Sequence, residues 1–106
     1  MSIKVMLADD HVLMREGIKH LLEFDGSIEV IDEANNGKEC LEKLEKVEPD
    51  ILLLDINMPD MNGIEVLEEL KKQNKNIKIL MLTVHSEVEY LIKAIDIGAN
   101  GYILKD

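Results

Sequence analysis

Apolar residues follow two alternating patterns along the chain: short continuous runs, and longer segments with helical spacing. The run Ile51–Asp55 is the clearest of the short ones. Its four successive apolar residues are typical of a central parallel strand that is buried on both faces. Comparable runs predict four more strands, at Ile3–Ala8, Ile28–Ile31, Ile77–Leu82 and Gly101–Leu104.

Segments of helical periodicity separate these runs. Helices are predicted to begin near Val12, Asn36 and Ile64, and a fourth at a capping box formed by Ser86 and Glu89. The residues of the fourth helix expected to face inward are Val88, Leu91, Ile92 and Ile95. Because strands that alternate with helices require crossover connections, the pattern predicts one α/β domain with a parallel sheet.

Size and charge narrow the range of functions. The chain has 106 residues, enough for one domain, and a formal net charge of -10, which opposes binding to nucleic acid or to anionic membranes. It contains neither an apolar run as long as a membrane span nor a signal-peptide pattern. A single cysteine, Cys40, excludes an internal disulfide and suits a reducing compartment. We therefore expect a cytoplasmic protein that does not contact membranes.

Polar residues that could carry chemistry stand where the apolar strands end. They are Asp9, Asp10, Asp55, Thr83 and Lys105. Parallel strands bring these ends to one rim of the sheet, which is where open α/β sheets bind their ligands. Each residue alone could be an ordinary cap or turn residue. Suitable residues at four strand ends are not expected by chance, so we predict a site at this rim.

Three neighbouring carboxylates repel one another and call for a divalent cation. Mg²⁺ suits them because it takes few carboxylates, keeps waters and accepts a phosphoryl oxygen, and Asn57 could add its backbone carbonyl. Asp55 is the candidate nucleophile, since a carboxylate that attacks phosphorus forms an acyl phosphate. Lys105 and Thr83 could stabilise the transferred group. No strong general base stands nearby in sequence, which predicts a long-lived product suited to a switch.

The chain resembles the receiver domain of two-component response regulators from Ile3 to Asp106. The residues that carry the resemblance are Asp9-Asp10, Asp55, Met58-Pro59, Gly63, Thr83 and Lys105. The segments Ala8–His11, Arg15–Gly17 and Gly98–Asp106 are similar to the NarL/FixJ-type (LuxR-like) subgroup. The resemblance implies a flavodoxin-like, doubly wound sheet of five parallel strands in the order 2-1-3-4-5, and a single receiver domain over residues 1–106.

The resemblance also implies roles for the metal-binding residues. Asp10, Asp55 and the carbonyl of Asn57 would bind Mg²⁺, while Asp9 would hold the waters of the metal. His11 is expected to begin the first helix rather than to bind metal. Asp55 would accept a phosphoryl group from a histidine kinase, so the domain would be a signalling module and not an enzyme.

Lys105 would then contact the phosphoryl group, and Thr83 and Tyr102 would form a switch pair. On phosphorylation the hydroxyl would move to the phosphate and the ring would turn inward. The added charge would bias an equilibrium between two states of the domain.

The sequence departs from the family because no fifth helix follows Lys105. The first helix should therefore be alone on its face of the sheet, leaving an apolar area near the Tyr102 strand. Either the rest of a longer protein or a partner, as in a homodimer, would cover this area. We favour the longer protein, because NarL/FixJ-type proteins normally continue into a helix-turn-helix domain. Only that domain would bind DNA and control transcription.

Two other functions stay open. One is a Mg²⁺-dependent phosphatase with Asp55 as a transient nucleophile. Such enzymes usually have a second Asp two residues later, where this chain has Asn57. The other is a flavodoxin-like protein that binds a nucleotide or flavin. No glycine-rich loop follows the first strand, and the acidic rim opposes an anionic ligand.

Overall fold

Strands and helices alternate through the whole chain. The computed structural model describes residues 2–105, except the side chain of His85; Asp106, where the family resemblance ends, lies outside the described residues. The strands within this range are Ile3–Ala8 (β1), Ile28–Ala34 (β2), Ile51–Asp55 (β3), Lys78–Thr83 (β4) and Gly101–Leu104 (β5). The helices are Val12–Glu23 (α1), Gly37–Leu44 (α2), Gly63–Lys72 (α3) and Val88–Ile97 (α4).

The described strands form one sheet in the order β2-β1-β3-β4-β5, and all of its pairings are parallel. The predicted α/β class, flavodoxin-like topology and strand order are confirmed. Strand β2 extends to Ala34, three residues beyond the predicted Ile31. Two of the added residues, Asp32 and Glu33, are charged and only partly buried at the sheet edge, so the extension lacks the continuous apolar pattern that marks the central strands.

The start of α4 differs from the prediction, because the capping box of Ser86 and Glu89 does not form. A short 3-10 turn, His85–Glu87, precedes the helix instead. Glu87 Oε1 accepts a hydrogen bond of 3.0 Å from the backbone nitrogen of Val84. The Glu87 side chain therefore caps this turn at an earlier position than the sequence pattern indicated.

The buried face of α4 is also narrower than predicted. Leu91 packs against the core and Ala94 is fully buried, but Val88, Ile92 and Ile95 are 44–58% exposed. Because apolar residues lie around most of this helix, its sequence pattern could not show which side meets the sheet.

The core has two parts, one on each face of the sheet. Alternate residues of the central strands point to opposite faces, as the pleat requires. One set packs against α2, α3 and α4 and includes Met6, Leu52, Leu54 and Met81. The other packs against α1 and consists of Val5, Leu7, Leu53 and Leu82. Buried residues of both parts place β1, β3 and β4 at fixed positions, and the strand ends with them.

The α1 face carries the apolar area expected beside Tyr102. A groove of about 290 Å³ lies between α1 and the strands β3, β4 and β5. Ile103 and Leu104 line it and are more than two-fifths exposed, and Leu21 on α1 is 81% exposed. Among the described helices, none is long and apolar enough to cross a membrane.

Gly63, the first residue of α3, packs directly against the strand end that carries Asp55. Its backbone nitrogen donates a hydrogen bond of 2.9 Å to the carbonyl of Ile56. A Cβ at this position would overlap with the carbonyl oxygen of Asp55. Asn62 and Glu65 form a capping box that fixes this helix end. The absence of a side chain at Gly63 therefore sets the backbone position of Asp55.

We predict that Gly63→Ala lowers the free energy of unfolding by about 2–4 kcal/mol, because the backbone of Asp55 cannot yield without moving the strand end. Gly17→Ala is the matched control. It lies within α1 with open space around the added methyl group, and should stabilise the protein by about 0.5–1 kcal/mol. Urea unfolding measures both. Equal effects of the two substitutions would contradict a rigid contact at Gly63.

Candidate metal and phosphoacceptor site

Parallel topology brings the predicted residues to one rim of the sheet. Asp9 and Asp10 follow β1, Asp55 is the last residue of β3, Thr83 is the last residue of β4, and Lys105 follows β5. Ligand atoms of Asp9, Asp10, Asp55 and His11 all lie within 4.8 Å of one another. The structure therefore brings together the three carboxylates that the sequence placed at separate strand ends.

Lys105 lies between two of these carboxylates. Its Nζ is 3.2 Å from Asp55 Oδ2 and 3.4 Å from Asp9 Oδ2. All three side chains are buried, and Asp9 is completely inaccessible to solvent. The backbone supports this arrangement, because the nitrogen of Lys105 donates a hydrogen bond of 2.8 Å to the carbonyl of Thr83. The ammonium group thus connects three strand ends.

Burial and charge shift the pKa values of both partners. Burial raises the pKa of Asp55 to about 6; Lys105 opposes this shift, and the nearby charge of Asp9 adds to it. For Lys105, burial alone would lower the pKa, but Asp55 and Asp9 outweigh it and the pKa is raised above its ordinary value. The lysine therefore stays charged, whereas ionisation of Asp55 lowers the stability of the folded state.

Asp10 is the feature that most directly indicates a cation. Its Oδ1 atom is buried and accepts no hydrogen bond from any residue within the described range. Three carboxylates also face a single ammonium group, which leaves negative charge uncompensated. A buried carboxylate oxygen without a partner is unfavourable unless an ion or water binds it. The three carboxylates of the cluster supply hard oxygen donors, which fit Mg²⁺.

A cleft of about 460 Å³ opens above Asp55. The backbone nitrogen of Asn57 lies beside the carboxylate and donates a hydrogen bond of 3.3 Å to Asp55 Oδ1. The residues that line the cleft are His11, Leu13, Met14, Asp55, Asn57, Val84, Glu87 and Lys105. Its size allows a phosphoryl donor to reach Asp55, although the carboxylate itself is buried.

Thr83 is buried and its hydroxyl is held by neighbours in its own loop. It donates to the carbonyl of Val84 at 3.2 Å and lies 3.4 Å from Glu87 Oε1. Tyr102, on the adjacent β5, is 54% exposed and so points away from the core. The sequence analysis missed Glu87, because its role depends on where the cap before α4 forms.

Arg15 is a second residue whose role the sequence analysis missed. Its buried guanidinium group donates to the carbonyl of Asp9 and, at 2.8 Å, to Asn35 Oδ1. It also donates to Glu33 Oε1 at 3.0 Å. These bonds tie α1 to the loops that follow β1 and β2. The only signal in the sequence is a basic residue one turn into the helix that follows the acidic pair.

The raised pKa of Asp55 predicts a pH-dependent loss of stability in metal-free protein. Between about pH 4 and 6 the folded protein holds a proton that the unfolded chain has released, so the free energy of unfolding falls as pH rises through this window. Asp55→Asn removes the ionisable group and so should not show this loss of stability. In EDTA near neutral pH it should be more stable than wild type by about 1–3 kcal/mol, with no difference below about pH 4.

Denaturant unfolding at several pH values measures this effect. Asp96→Asn, at an exposed position on α4, is the control and should show no such dependence. Lower stability of Asp55→Asn at neutral pH would mean that the ion pair with Lys105 outweighs burial and the repulsion from Asp9.

Comparisons with known proteins agree with this geometry. A family model described as the response regulator receiver domain matches residues 5–106. The chain is 38% identical over 105 residues to the transcriptional regulatory protein DegU of Brevibacillus brevis, covering 99% of this chain and 44% of DegU. It is 40% identical over 102 residues to the nitrate/nitrite response regulator protein NarL of Escherichia coli, covering 96% of this chain and 47% of NarL. The chain thus spans about half the length of these curated relatives.

Solved structures give the same result. The signal receiver domain of the response regulator NarL from Mycobacterium tuberculosis superposes with a TM-score of 0.92 at 35% identity, covering 99% of this chain and 85% of that one. A LuxR-family two-component response regulator from Aurantimonas superposes with a TM-score of 0.91 at 31% identity, covering 100% of this chain and 76% of that one. The chain belongs to the response regulator receiver domain family, and its relatives are of the NarL/LuxR type.

Proposed function

We propose that Asp55 is the phosphoacceptor of this receiver domain. The observation that carries the proposal is the position of Lys105 Nζ, which lies within 3.4 Å of both Asp55 and Asp9, beside the unpartnered Oδ1 of Asp10. This arrangement offers one nucleophilic carboxylate, one fixed cation and oxygen ligands for a second cation. In a receiver domain those are the groups that phosphoryl transfer to a carboxylate requires.

An oxygen of Asp55 attacks phosphorus, and a new O–P bond forms as the bond from phosphorus to the donor breaks. With a phosphohistidine donor the imidazole nitrogen leaves, and Asp55 becomes an acyl phosphate. Lys105 then contacts the phosphoryl oxygens. Its raised pKa keeps it positively charged for this role, and it is already positioned before the transfer.

Asp10, Asp55 and the backbone carbonyl of Asn57 would hold Mg²⁺ in this proposal, and Asp9 would act through the waters of the ion. When bound, Mg²⁺ supplies positive charge that neutralises the phosphoryl oxygens. Asp55 Oδ2 faces Lys105 and its Oδ1 faces the backbone nitrogen of Asn57, so both oxygens are oriented by fixed donors. The orientation of the nucleophile therefore comes from this chain's own residues.

Thr83 and Tyr102 form the proposed switch. In the unphosphorylated structure the Thr83 hydroxyl is engaged by Val84 and Glu87. A phosphoryl group on Asp55 adds strong acceptor oxygens, so the hydroxyl leaves these partners to donate to it. The space vacated near Thr83 lets the exposed Tyr102 ring turn inward. The α4–β5 surface then changes shape for a partner.

The family supports the proposed cellular partners. The proposed donor is a sensor histidine kinase, and the proposed assembly of the domain is a homodimer. The relatives named above are regulators about twice as long as this chain. We propose that residues 1–106 form one receiver domain of such a cytoplasmic regulator. A separate helix-turn-helix domain, absent from this sequence, would bind DNA and control transcription.

The phosphoacceptor proposal predicts a gain of one phosphoryl group after incubation with Mg²⁺ and acetyl phosphate. Intact mass spectrometry measures this gain for wild type and for Asp55→Asn. The phosphoryl group should appear in wild type alone, because Asp55 is the carboxylate beside Lys105 that lines the cleft. A gain in both proteins, or in neither, would contradict Asp55 as the acceptor.

The same samples separate a signalling module from a phosphatase. A signalling module retains its phosphoryl group and releases phosphate slowly, whereas a phosphatase would turn over a phosphate monoester continuously. The family assignment does not favour a phosphatase, and Asn57 cannot act as the acid that such an enzyme needs. Multiple turnovers that depend on Asp55 would overturn the proposal that this domain is not an enzyme.

For the switch, we predict that Thr83→Ala accepts the phosphoryl group but loses the response of Tyr102. Thr83→Ser keeps a hydroxyl and is the matched control. NMR of the tyrosine rings should show a shifted Tyr102 signal on phosphorylation in wild type and Thr83→Ser, and none in Thr83→Ala. A Tyr102 response that persists without the hydroxyl would contradict the coupling.

A further inference from the structure

His11 places an imidazole nitrogen beside the acidic pair. Its backbone nitrogen donates a hydrogen bond of 2.9 Å to Asp9 Oδ1, which turns the residue back toward the strand end. His11 is the N-cap residue of α1, yet its side chain makes no capping hydrogen bond. Instead, Nδ1 lies 3.2 Å from both Asp9 Oδ1 and Asp10 Oδ1. The ring is therefore part of the acidic site and not part of the helix cap.

The separation between His11 Nδ1 and Asp10 Oδ1 matches that between neighbouring ligands of one metal ion. Ligands bound at about 2.1 Å and at right angles are about 3.0 Å apart, and opposite ligands are about 4.2 Å apart. The separation of 3.2 Å is close to the first value. The ligand atoms of Asp10, His11 and Asp55 lie within 4.8 Å of one another, so a contraction of less than about 1 Å would bring them around one ion, with Asp9 acting through its waters.

The unsatisfied oxygen of Asp10 supports the same arrangement. Nδ1 of His11 is near enough to reach it, but the pair does not form a hydrogen bond, and Asp10 Oδ1 is left without any partner among the described residues. Nδ1 itself is within hydrogen-bonding distance of Asp9 Oδ1, at 3.2 Å, so a cation between Nδ1 and Asp10 Oδ1 would satisfy the oxygen and replace that contact of the nitrogen. His11 is also 63% exposed, so an arriving ion can reach the ring from solvent.

A nitrogen ligand changes which ions a site prefers. Carboxylates, carbonyls and water suit Mg²⁺ and Mn²⁺, whereas imidazole suits later first-row ions such as Fe²⁺ and Ni²⁺, between which Co²⁺ lies in affinity. An all-oxygen site gains little from replacing one water by imidazole when Mg²⁺ is bound. With Co²⁺ or Ni²⁺ the same replacement strengthens binding.

We propose that His11 is a nitrogen ligand of the cation site and that it makes this site selective for later divalent transition ions such as Co²⁺ and Ni²⁺ over Mg²⁺. The inference rests on the proposed function, because it adds a ligand to the site formed by Asp10, Asp55 and Asn57. It also revises the expectation that His11 merely begins the first helix.

Calorimetric titration of the metal-free protein with MgCl₂ and with CoCl₂ tests the proposal, in buffer alkaline enough for a free imidazole to be neutral. The proteins compared are wild type, His11→Gln, His20→Gln and Asp10→Asn. His20 lies on the same helix at an exposed position away from the site, so His20→Gln is the matched control. Pulsed electron paramagnetic resonance of the Mn²⁺ complexes detects a directly bound nitrogen.

We expect His11→Gln to weaken Co²⁺ binding by about tenfold or more and to change Mg²⁺ binding by less than about threefold. The nitrogen coupling to Mn²⁺ should disappear in His11→Gln and persist in His20→Gln. Equal effects on both ions, or tighter binding of both, would overturn the proposal, since the ring would then act only as a competing positive charge. Absence of nitrogen coupling in wild type would overturn it as well.

Asp10→Asn distinguishes failure of the proposed cation site from failure of the proposed nitrogen ligand. If it weakens Mg²⁺ and Co²⁺ binding while His11→Gln affects neither, the cation site stands and the nitrogen ligand is wrong. If Asp10→Asn leaves the affinity for both ions unchanged, the proposed cation site itself is wrong, and the role of His11 is wrong with it.

Discussion

The cost of gathering three carboxylates, two of them buried, at one rim of the sheet governs much of this structure. Strand β3 must be apolar on both faces to fill the centre of the sheet, so the residue at its end, Asp55, leaves water with it. Parallel pairing with β1 brings Asp9 and Asp10 to the same place. Each ionised carboxylate loses hydration and repels the others. Lys105 offsets part of this cost, and the raised pKa of Asp55 reports what remains.

This residual cost makes binding of a cation at the site favourable. A region with surplus negative charge and an unsatisfied oxygen is stabilised more by a cation than a neutral surface would be. The cation replaces the favourable interactions with water that the carboxylates lost on burial. A cation and Lys105 together also make the rim acceptable to an anionic phosphoryl group, which the carboxylates alone would repel. The features that reduce the stability of the metal-free domain are thus the ones that the proposed phosphoryl transfer uses.

The residues of the site could be predicted from the sequence because each follows an apolar run. Asp9, Asp55, Thr83 and Lys105 stand at strand ends, and parallel topology alone brings strand ends together. Residues inside helices and turns gave no comparable signal. In the sequence, Arg15 cannot be distinguished from an ordinary surface cation. Only the fold shows that it donates a hydrogen bond to the carbonyl of Asp9. Glu87 and Ser86 both stand near the start of a helix, and which cap forms depends on packing that local sequence does not report.

Lys105 also joins parts of the site that are far apart in sequence. Its partner Asp9 is 96 residues away in sequence and Asp55 is 50 residues away. Contacts of such long range form late, because the intervening loop must first lose its conformational entropy. During synthesis the carboxylates of β1 and β3 emerge well before the only ammonium group shown to pair with both Asp9 and Asp55. A nascent or partly folded chain therefore lacks the complete cluster of Asp9, Asp55 and Lys105, and under the proposed function this order of assembly would tie phosphoryl transfer to completion of the sheet.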